Sequence, residues 1–180
     1  MKPTAPRSEA PAIPSSTLQQ HVAAVSIDAT PRGYQLTTRQ RFAEPREQLF
    51  AFFGDAGNLA AMTPAYLHFR ILTPLPIRMQ TGTLIDYRLR LRRIPIRWRT
   101  RIRAWEPPHR FIDEQLRGPY RFWHHQHQFV TLEDGTTEMT DVVDYGVTCG
   151  AVVHPLWVSG ELKRIFAFRR ATLAERFLTA

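Results

Sequence analysis

Residues 83–104 read Thr83-Leu84-Ile85-Asp86-Tyr87-Arg88-Leu89-Arg90-Leu91-Arg92-Arg93-Ile94-Pro95-Ile96-Arg97-Trp98-Arg99-Thr100-Arg101-Ile102-Arg103-Ala104. Two runs here alternate with a period of two, the mark of strands with one buried face. Thr83, Ile85, Tyr87, Leu89 and Leu91 share a face of the first; Ile96, Trp98, Thr100, Ile102 and Ala104 share a face of the second. A loop at Arg92-Arg93-Ile94-Pro95 pairs Leu91 with Ile96, Leu89 with Trp98 and Tyr87 with Thr100. The apolar faces then coincide, and Arg88 and Arg90 oppose Arg99 and Arg97 on the other side. Agreement of register with pattern predicts a hairpin buried on one face.

Working outward, Glu106-Pro107-Pro108-His109 is the next turn. Pairing across it puts Phe111, Asp113 and Gln115 on the apolar side and Glu114 opposite Arg101 outside, a favourable cross-strand charge pair. Gly118-Pro119 breaks the chain again. Residues 120–132 form a long strand, Asp134-Gly135 signals a hairpin, and residues 136–145 form the last strand, with Met139, Asp141, Val143 and Tyr145 on one face. Before the hairpin, residues 34–42 alternate as a strand, and residues 68–72 make a short one. Glu44-Pro45 opens a helix carrying Leu49, Phe50, Phe52 and Phe53, and Asp55 caps a second short helix. From about Pro155, the residues Val158, Leu162, Ile165, Phe166, Arg169, Leu173 and Phe177 recur at helical spacing. The expectation is an α+β domain: six to seven antiparallel strands in a curved sheet, two short helices after the first strand, and a long closing helix.

The chain has 180 residues, enough for one domain. Residues 1–31 carry Pro3, Pro6, Pro11, Pro14 and Pro31 among small polar residues and read as a flexible tail, with residues 22–27 as an alternative extra strand. Residues 32–180 are assigned to the domain. Prolines stand where a secretory signal needs an apolar run, and no stretch matches the 20 or so apolar residues of a membrane helix. A cytoplasmic protein is expected. The single cysteine, Cys149, excludes an intrachain disulfide. The net charge of +8 is local: residues 88–103 hold eight arginines and no acid, and the remaining 16 basic residues balance the 16 acidic ones. That face suits weak contact with an anionic surface. Specific nucleic-acid binding is not expected, because no aromatic residues interleave with the arginines on that face and no nucleic-acid motif is present.

The order of elements resembles the START-like helix-grip superfamily, in its polyketide cyclase/dehydrase and lipid-transport group (SRPBCC). The resemblance spans residues 33–178. It rests on Gly82-Thr83-Leu84-Ile85-Asp86-Tyr87, Trp98-Arg99-Thr100-Arg101-Ile102, Trp105-Glu106-Pro107-Pro108, Phe111-Ile112-Asp113-Glu114-Gln115, Gly118-Pro119-Tyr120, Trp123-His124-His125-Gln126-His127 and Ile165-Phe166-Ala167-Phe168-Arg169. Such a resemblance implies a cavity between sheet and helix for an apolar or amphipathic small molecule. It does not imply one chemistry, since binders, transporters and cyclases share the fold.

Strand phase puts Tyr87, Trp98, Thr100, Asp113 and Gln115 in that cavity, with Trp123, His125, His127, Asp141, Tyr145 and Phe166 completing it. Together His125, His127 and Asp141 form a candidate catalytic cluster, because a carboxylate beside imidazole fixes its tautomer and poises it as a general base. The plainer reading is a polar cluster that satisfies itself or orients a ligand. One difficulty is explicit: a two-residue turn at Asp134-Gly135 would pair Gln128, not His127, with Asp141. The cluster needs a bulge or an odd-length loop. His125-Gln126-His127 also places two imidazoles on one face, but with no third ligand evident no metal site is assigned. Glycine-rich phosphate loops are absent and no cofactor is expected. The readings are a carrier of a hydrophobic ligand, a cofactor-independent cyclase or dehydratase, or an interaction protein using the arginine face.

Overall fold

The computed structural model describes residues 25–91, 94–149 and 153–178. Among the described residues eight antiparallel strands form one sheet: β1 (Ser26–Thr30), β2 (Gly33–Phe42), β3 (Arg70–Ile71), β4 (Leu84–Leu91), β5 (Ile94–Glu106), β6 (Arg110–Arg117), β7 (Phe122–Thr131) and β8 (Thr137–Gly146). Their spatial order is β1-β2-β8-β7-β6-β5-β4-β3. Helix α1 (Arg46–Gly54) and two short 3₁₀ turns, Ala56–Leu59 and Ala65–Leu67, follow β2. One π-helical turn, His154–Val158, leads into the long helix α2 (Ser159–Leu178). This is a helix-grip architecture, with the sheet curved around α2.

Two expectations are corrected. Eight strands replace the six to seven, because Ser26–Thr30 pairs with β2 as an edge strand, Ile27 facing Leu36. The assigned tail therefore runs at least five residues too far. Backbone pairing and the packing of Ile27 against the core around Leu36 hold a segment whose composition reads as polar. Residues 1–24 lie outside the described residues.

The second correction concerns the β4–β5 hairpin. Leu91 pairs with Ile94, Leu89 with Ile96, Tyr87 with Trp98 and Ile85 with Thr100. The expected register was two residues off. A shift of two keeps every side chain on its face, so the buried stripe is unchanged. It does alter the outer face: Arg99 now meets Asp86, with Nε and a second guanidinium nitrogen each 2.8 Å from a carboxylate oxygen. Arg101 pairs with Glu114 as expected.

Packing falls into three buried groups. Phe42, Leu49, Phe50, Phe53, Phe111, Phe129 and Leu173 seat α1 at one end of the sheet. Leu36, Val143, Tyr145, Val158, Leu162 and Phe166 fix α2 across β2 and β8. Ala56, Ile85 and Ile102 join the 3₁₀ turn to the β4–β5 hairpin. Register shifts in β5, between Arg99 and Thr100 and between Ile102 and Ala104, mark where the strand bends. Between the packed regions a cavity remains.

Candidate functional site

The loop between β7 and β8 decides the site. Leu132 and Thr136 are bonded backbone to backbone, and the Gly135 N–H donates to the Leu132 carbonyl at 3.0 Å. Gly135 has φ +81°, a left-handed conformation that glycine adopts without strain. The result is a three-residue loop, Glu133-Asp134-Gly135, rather than a two-residue turn. Its odd length sets Thr131 opposite Thr137, and hence His127 opposite Asp141. Trp123, His125, His127 and Phe129 all point to the concave side of the sheet.

Four polar groups meet there from three neighbouring strands. Asp113 on β6 lies opposite His125 on β7, and Val143 of β8 lies on its other side. His125 Nε2 is 3.0 Å from Asp141 Oδ1, in line for N–H donation. His127 Nε2 is 3.2 Å from Asp113 Oδ2. His125 Nδ1 lies 3.5 Å from the same Asp113 oxygen. His127 Nδ1 comes within 2.7 Å of Asp141 Oδ1 but out of line, an electrostatic contact rather than a hydrogen bond. The rings of His125 and His127 have centroids 3.8 Å apart. Phe111 stacks on His127 at 4.1 Å, and Phe166 packs edge-on to His125. Aromatic packing and carboxylates thus hold both imidazoles in place.

The two histidines shift in opposite directions. Burial lowers the pKa of His125, and the charge of His127 lowers it further, against the pull of Asp141 and Asp113. Burial also acts to lower His127, but the Asp141 charge and the contacts with Asp113 and Asp141 outweigh it, so its pKa is raised. Both carboxylates resist the upward push of burial. Asp113 is held below the usual carboxylate range by His127 and His125, and Asp141 well below it by His127 and Arg169.

The cavity has a volume of about 210 Å³. Tyr87, Trp98, Thr100, Asp113, Trp123, His125, His127 and Phe166 line it, as the strand phase predicts. Thr100 Oγ1 accepts from Trp98 Nε1 at 3.1 Å and lies 3.0 Å from the Tyr87 hydroxyl, so one threonine fixes two aromatic walls. Three expected residues stand elsewhere. Gln115 turns to the 118–120 turn, donating to the Tyr120 carbonyl at 2.7 Å and accepting from the Tyr120 N–H at 3.3 Å. Asp141 is buried behind the histidines. Tyr145 is fully buried, its hydroxyl 2.7 Å from His154 Nε2. None of the three is part of the lining, because local hydrogen bonds or deep packing take each one up.

Sequence reasoning missed Arg169 and Glu161 as site residues. Both come from α2 and line the cavity. Arg169 lies over the rings of Phe53 and Phe166, at 5.6 and 5.9 Å, and its Nε is buried without a hydrogen-bond partner. The signal was present: a cation inside the apolar stripe of the closing helix. Glu161 accepts from the Tyr66 hydroxyl at 2.8 Å; burial and that carboxylate push Tyr66 up to about 12. The joining of Asp113 to the histidines was also missed, since it depends on the β6–β7 register.

No protein-family model and no curated protein matches this sequence. Solved structures do. A protein from Arthrobacter aurescens, determined by solution NMR, superposes with a TM-score of 0.65 at 15% identity, over 85% of this chain and 93% of that one. A Mycobacterium smegmatis protein gives 0.62 at 16% identity, over 84% and 94%. The major latex-like protein 151 of ginseng, Panax ginseng, gives 0.60 at 12% identity, over 80% and 97%. These likenesses establish the fold. Among the described residues no helix is long and apolar enough to cross a membrane.

Proposed function

We propose that this chain is a START-like carrier or binding protein of the cytoplasm that holds an amphipathic, polyketide- or lipid-like small molecule between sheet and α2. One observation carries the reading: an internal cavity with aromatic and aliphatic walls ends in a polar floor where Arg169 Nε has no partner. Apolar walls supply affinity by removing surface from water, and the few convergent polar groups orient the guest. An oxygen-bearing head directed at Arg169, Asp113, His125 and His127 satisfies that floor. Drug-sized pockets occupy about 300–1,000 Å³. A volume of about 210 Å³ therefore favours a compact one- or two-ring molecule over a long acyl chain. The motifs quoted for the START-like resemblance support the same reading.

Native mass spectrometry of protein purified from its own host is the direct test. A co-purifying apolar small molecule at one per chain supports the proposal. A fluorescent hydrophobic probe that fails to bind, or that binds outside the cavity, counts against it. The in-line contact of His125 with Asp141 favours a second reading, an enzyme of the cyclase or dehydratase kind in which a carboxylate-oriented imidazole moves a proton on the bound ligand. Hydrogen–deuterium exchange at the ligand's acidic carbon, accelerated by the wild-type protein and not by His125→Ala, distinguishes catalyst from carrier.

A further inference from the structure

Asp113, His125 and His127 present three donor atoms to the cavity floor, all within 4.8 Å of one another. Asp113 Oδ2 stands 3.2 Å from His127 Nε2 and 3.5 Å from His125 Nδ1. A tetrahedral cation with bonds of about 2.0–2.1 Å holds its donors about 3.3 Å apart. We propose that these three residues bind one first-row divalent cation of the zinc type, leaving a coordination position open to the cavity.

The surroundings suit a cation. Each of the four ring nitrogens of the two histidines faces a carboxylate oxygen, at 2.7 to 3.5 Å. Only two of these contacts are in-line hydrogen bonds, His125 Nε2 with Asp141 and His127 Nε2 with Asp113, and His127 Nδ1 is buried without a hydrogen-bond partner. One divalent cation on the Asp113 side takes Asp113 Oδ2, His125 Nδ1 and His127 Nε2 as its donors. Both rings are then neutral, and each keeps its far nitrogen beside Asp141 Oδ1. The in-line contact of His125 Nε2 with Asp141 fixes the tautomer and orientation of that ligating ring. The donors sit on adjacent strands, with Phe111 against His127 and Phe166 against His125, so little ordering cost remains. Two imidazoles and one carboxylate with an open position suit zinc or ferrous iron rather than calcium or magnesium.

The role of the ion follows from its place. It meets the polar end of whatever the cavity holds, next to Arg169, and can polarise a ligand oxygen. The proposal relies on the cavity reading only for that role, because the ion can be tested without a ligand.

The test uses the full chain, stripped with a chelator and then titrated with Zn²⁺ by calorimetry and with Co²⁺ by visible absorption. The expected result is one ion per chain, a rise in thermal midpoint, and Co²⁺ bands of a four- or five-coordinate site. Asp113→Ala, His125→Ala and His127→Ala each weaken binding by about 100-fold or more. Asp141→Asn, acting through the histidines, weakens it by about 10–100-fold. His124→Ala, on the opposite strand face, leaves affinity unchanged. Should an alanine variant fail to fold, Asp113→Asn and His127→Gln take its place, with circular dichroism checking the fold. Absence of stoichiometric binding by the wild-type chain overturns the proposal. So does binding that survives loss of both His125 and His127, or that His124→Ala abolishes. A hydrophobic probe that binds the stripped protein while Zn²⁺ does not bind leaves the cavity reading intact. Zn²⁺ binding without probe binding leaves the ion site and removes the carrier.

Discussion

Trp98 and Arg99 are neighbours on β5 with opposite duties. Trp98 is buried, stacks beside Tyr87 at 5.8 Å and meets Trp123 edge-on. Arg99 points to solvent and pairs with Asp86. Trp98→Ala is expected to change the affinity of a fluorescent hydrophobic probe by about tenfold or more, since its loss removes a wall of the cavity. Arg99→Gln leaves probe affinity within about twofold, because exposed ion pairs contribute little. Equal effects of the two substitutions on the binding isotherm contradict the assignment of the cavity. His154 gives a second prediction at this scale. Burial lowers its pKa below the ordinary 6.5, and its neutral ring accepts from the Tyr145 hydroxyl and stacks on Tyr34 at 3.4 Å. A group with a depressed folded pKa stabilises the fold above its unfolded pKa, and that stabilisation is lost as pH falls through the folded value. The thermal midpoint is therefore expected to drop on acidification below about pH 6.5. His154→Gln keeps a polar group without a titrating ring and flattens that part of the curve. An unchanged acid slope in the variant removes His154 from the account.

Elements are held by backbone approach as much as by side chains. At the start of β2, a Cβ on Gly33 would lie 2.3 Å from the Tyr145 carbonyl oxygen. Neither partner is a flexible side-chain tip, so Gly33→Ala must separate β2 from the end of β8. The expected cost is about 1–3 kcal/mol, read as a lower denaturant midpoint at unchanged slope; a midpoint equal to wild type shows that the sheet edge yields freely. Strand β1 gives another test. A chain beginning at residue 25 keeps the Ile27–Leu36 pairing. One beginning at residue 32 exposes the β2 edge and part of the core around Leu36. The longer truncation is expected to lower the thermal midpoint by several degrees more than the shorter one. Equal midpoints make β1 energetically idle.

Across the whole molecule, charge is arranged by side of the sheet. The concave side carries the cluster of Asp113, Asp141, His125 and His127, with Arg169 of α2 facing the same cavity. The convex side of β4 and β5 carries the arginines, where Asp86 pairs with Arg99 and Glu114 is shared by Arg101 and Arg103, while Arg88 still faces Arg97. Like charges directly opposite are mildly destabilising. We therefore expect Arg97→Gln to hold or slightly raise the thermal midpoint. The same change should weaken binding to vesicles rich in anionic lipid, more so at low salt. Vesicle binding that ignores both the substitution and the salt excludes the arginine face as an anionic contact.

Periodicity alone determined much of this protein. Alternation in residues 83–104 identified the buried face of the hairpin, and a two-residue error in register left that face untouched because side chains repeat every two residues. The helical stripe through Leu162, Phe166 and Leu173 identified the closing helix, and the pairing of Arg101 with Glu114 was legible from strand pairing across the Glu106–His109 turn. Tertiary structure decided the rest. Ser26–Thr30 became a strand through the β2 edge and the Leu36 core, and the alternative strand at 22–27 overlaps it only at Ser26 and Ile27. Whether His127 or Gln128 meets Asp141 turned on the parity of one loop, set by the left-handed Gly135. Asp113 joined the histidines only through the β6–β7 register, and Arg169 reached the site only because α2 lies across the sheet. Local pattern fixes which face a side chain takes, since that depends on neighbours in the chain. Which side chains meet depends on registers and helix docking, and those are set by packing between segments far apart in sequence.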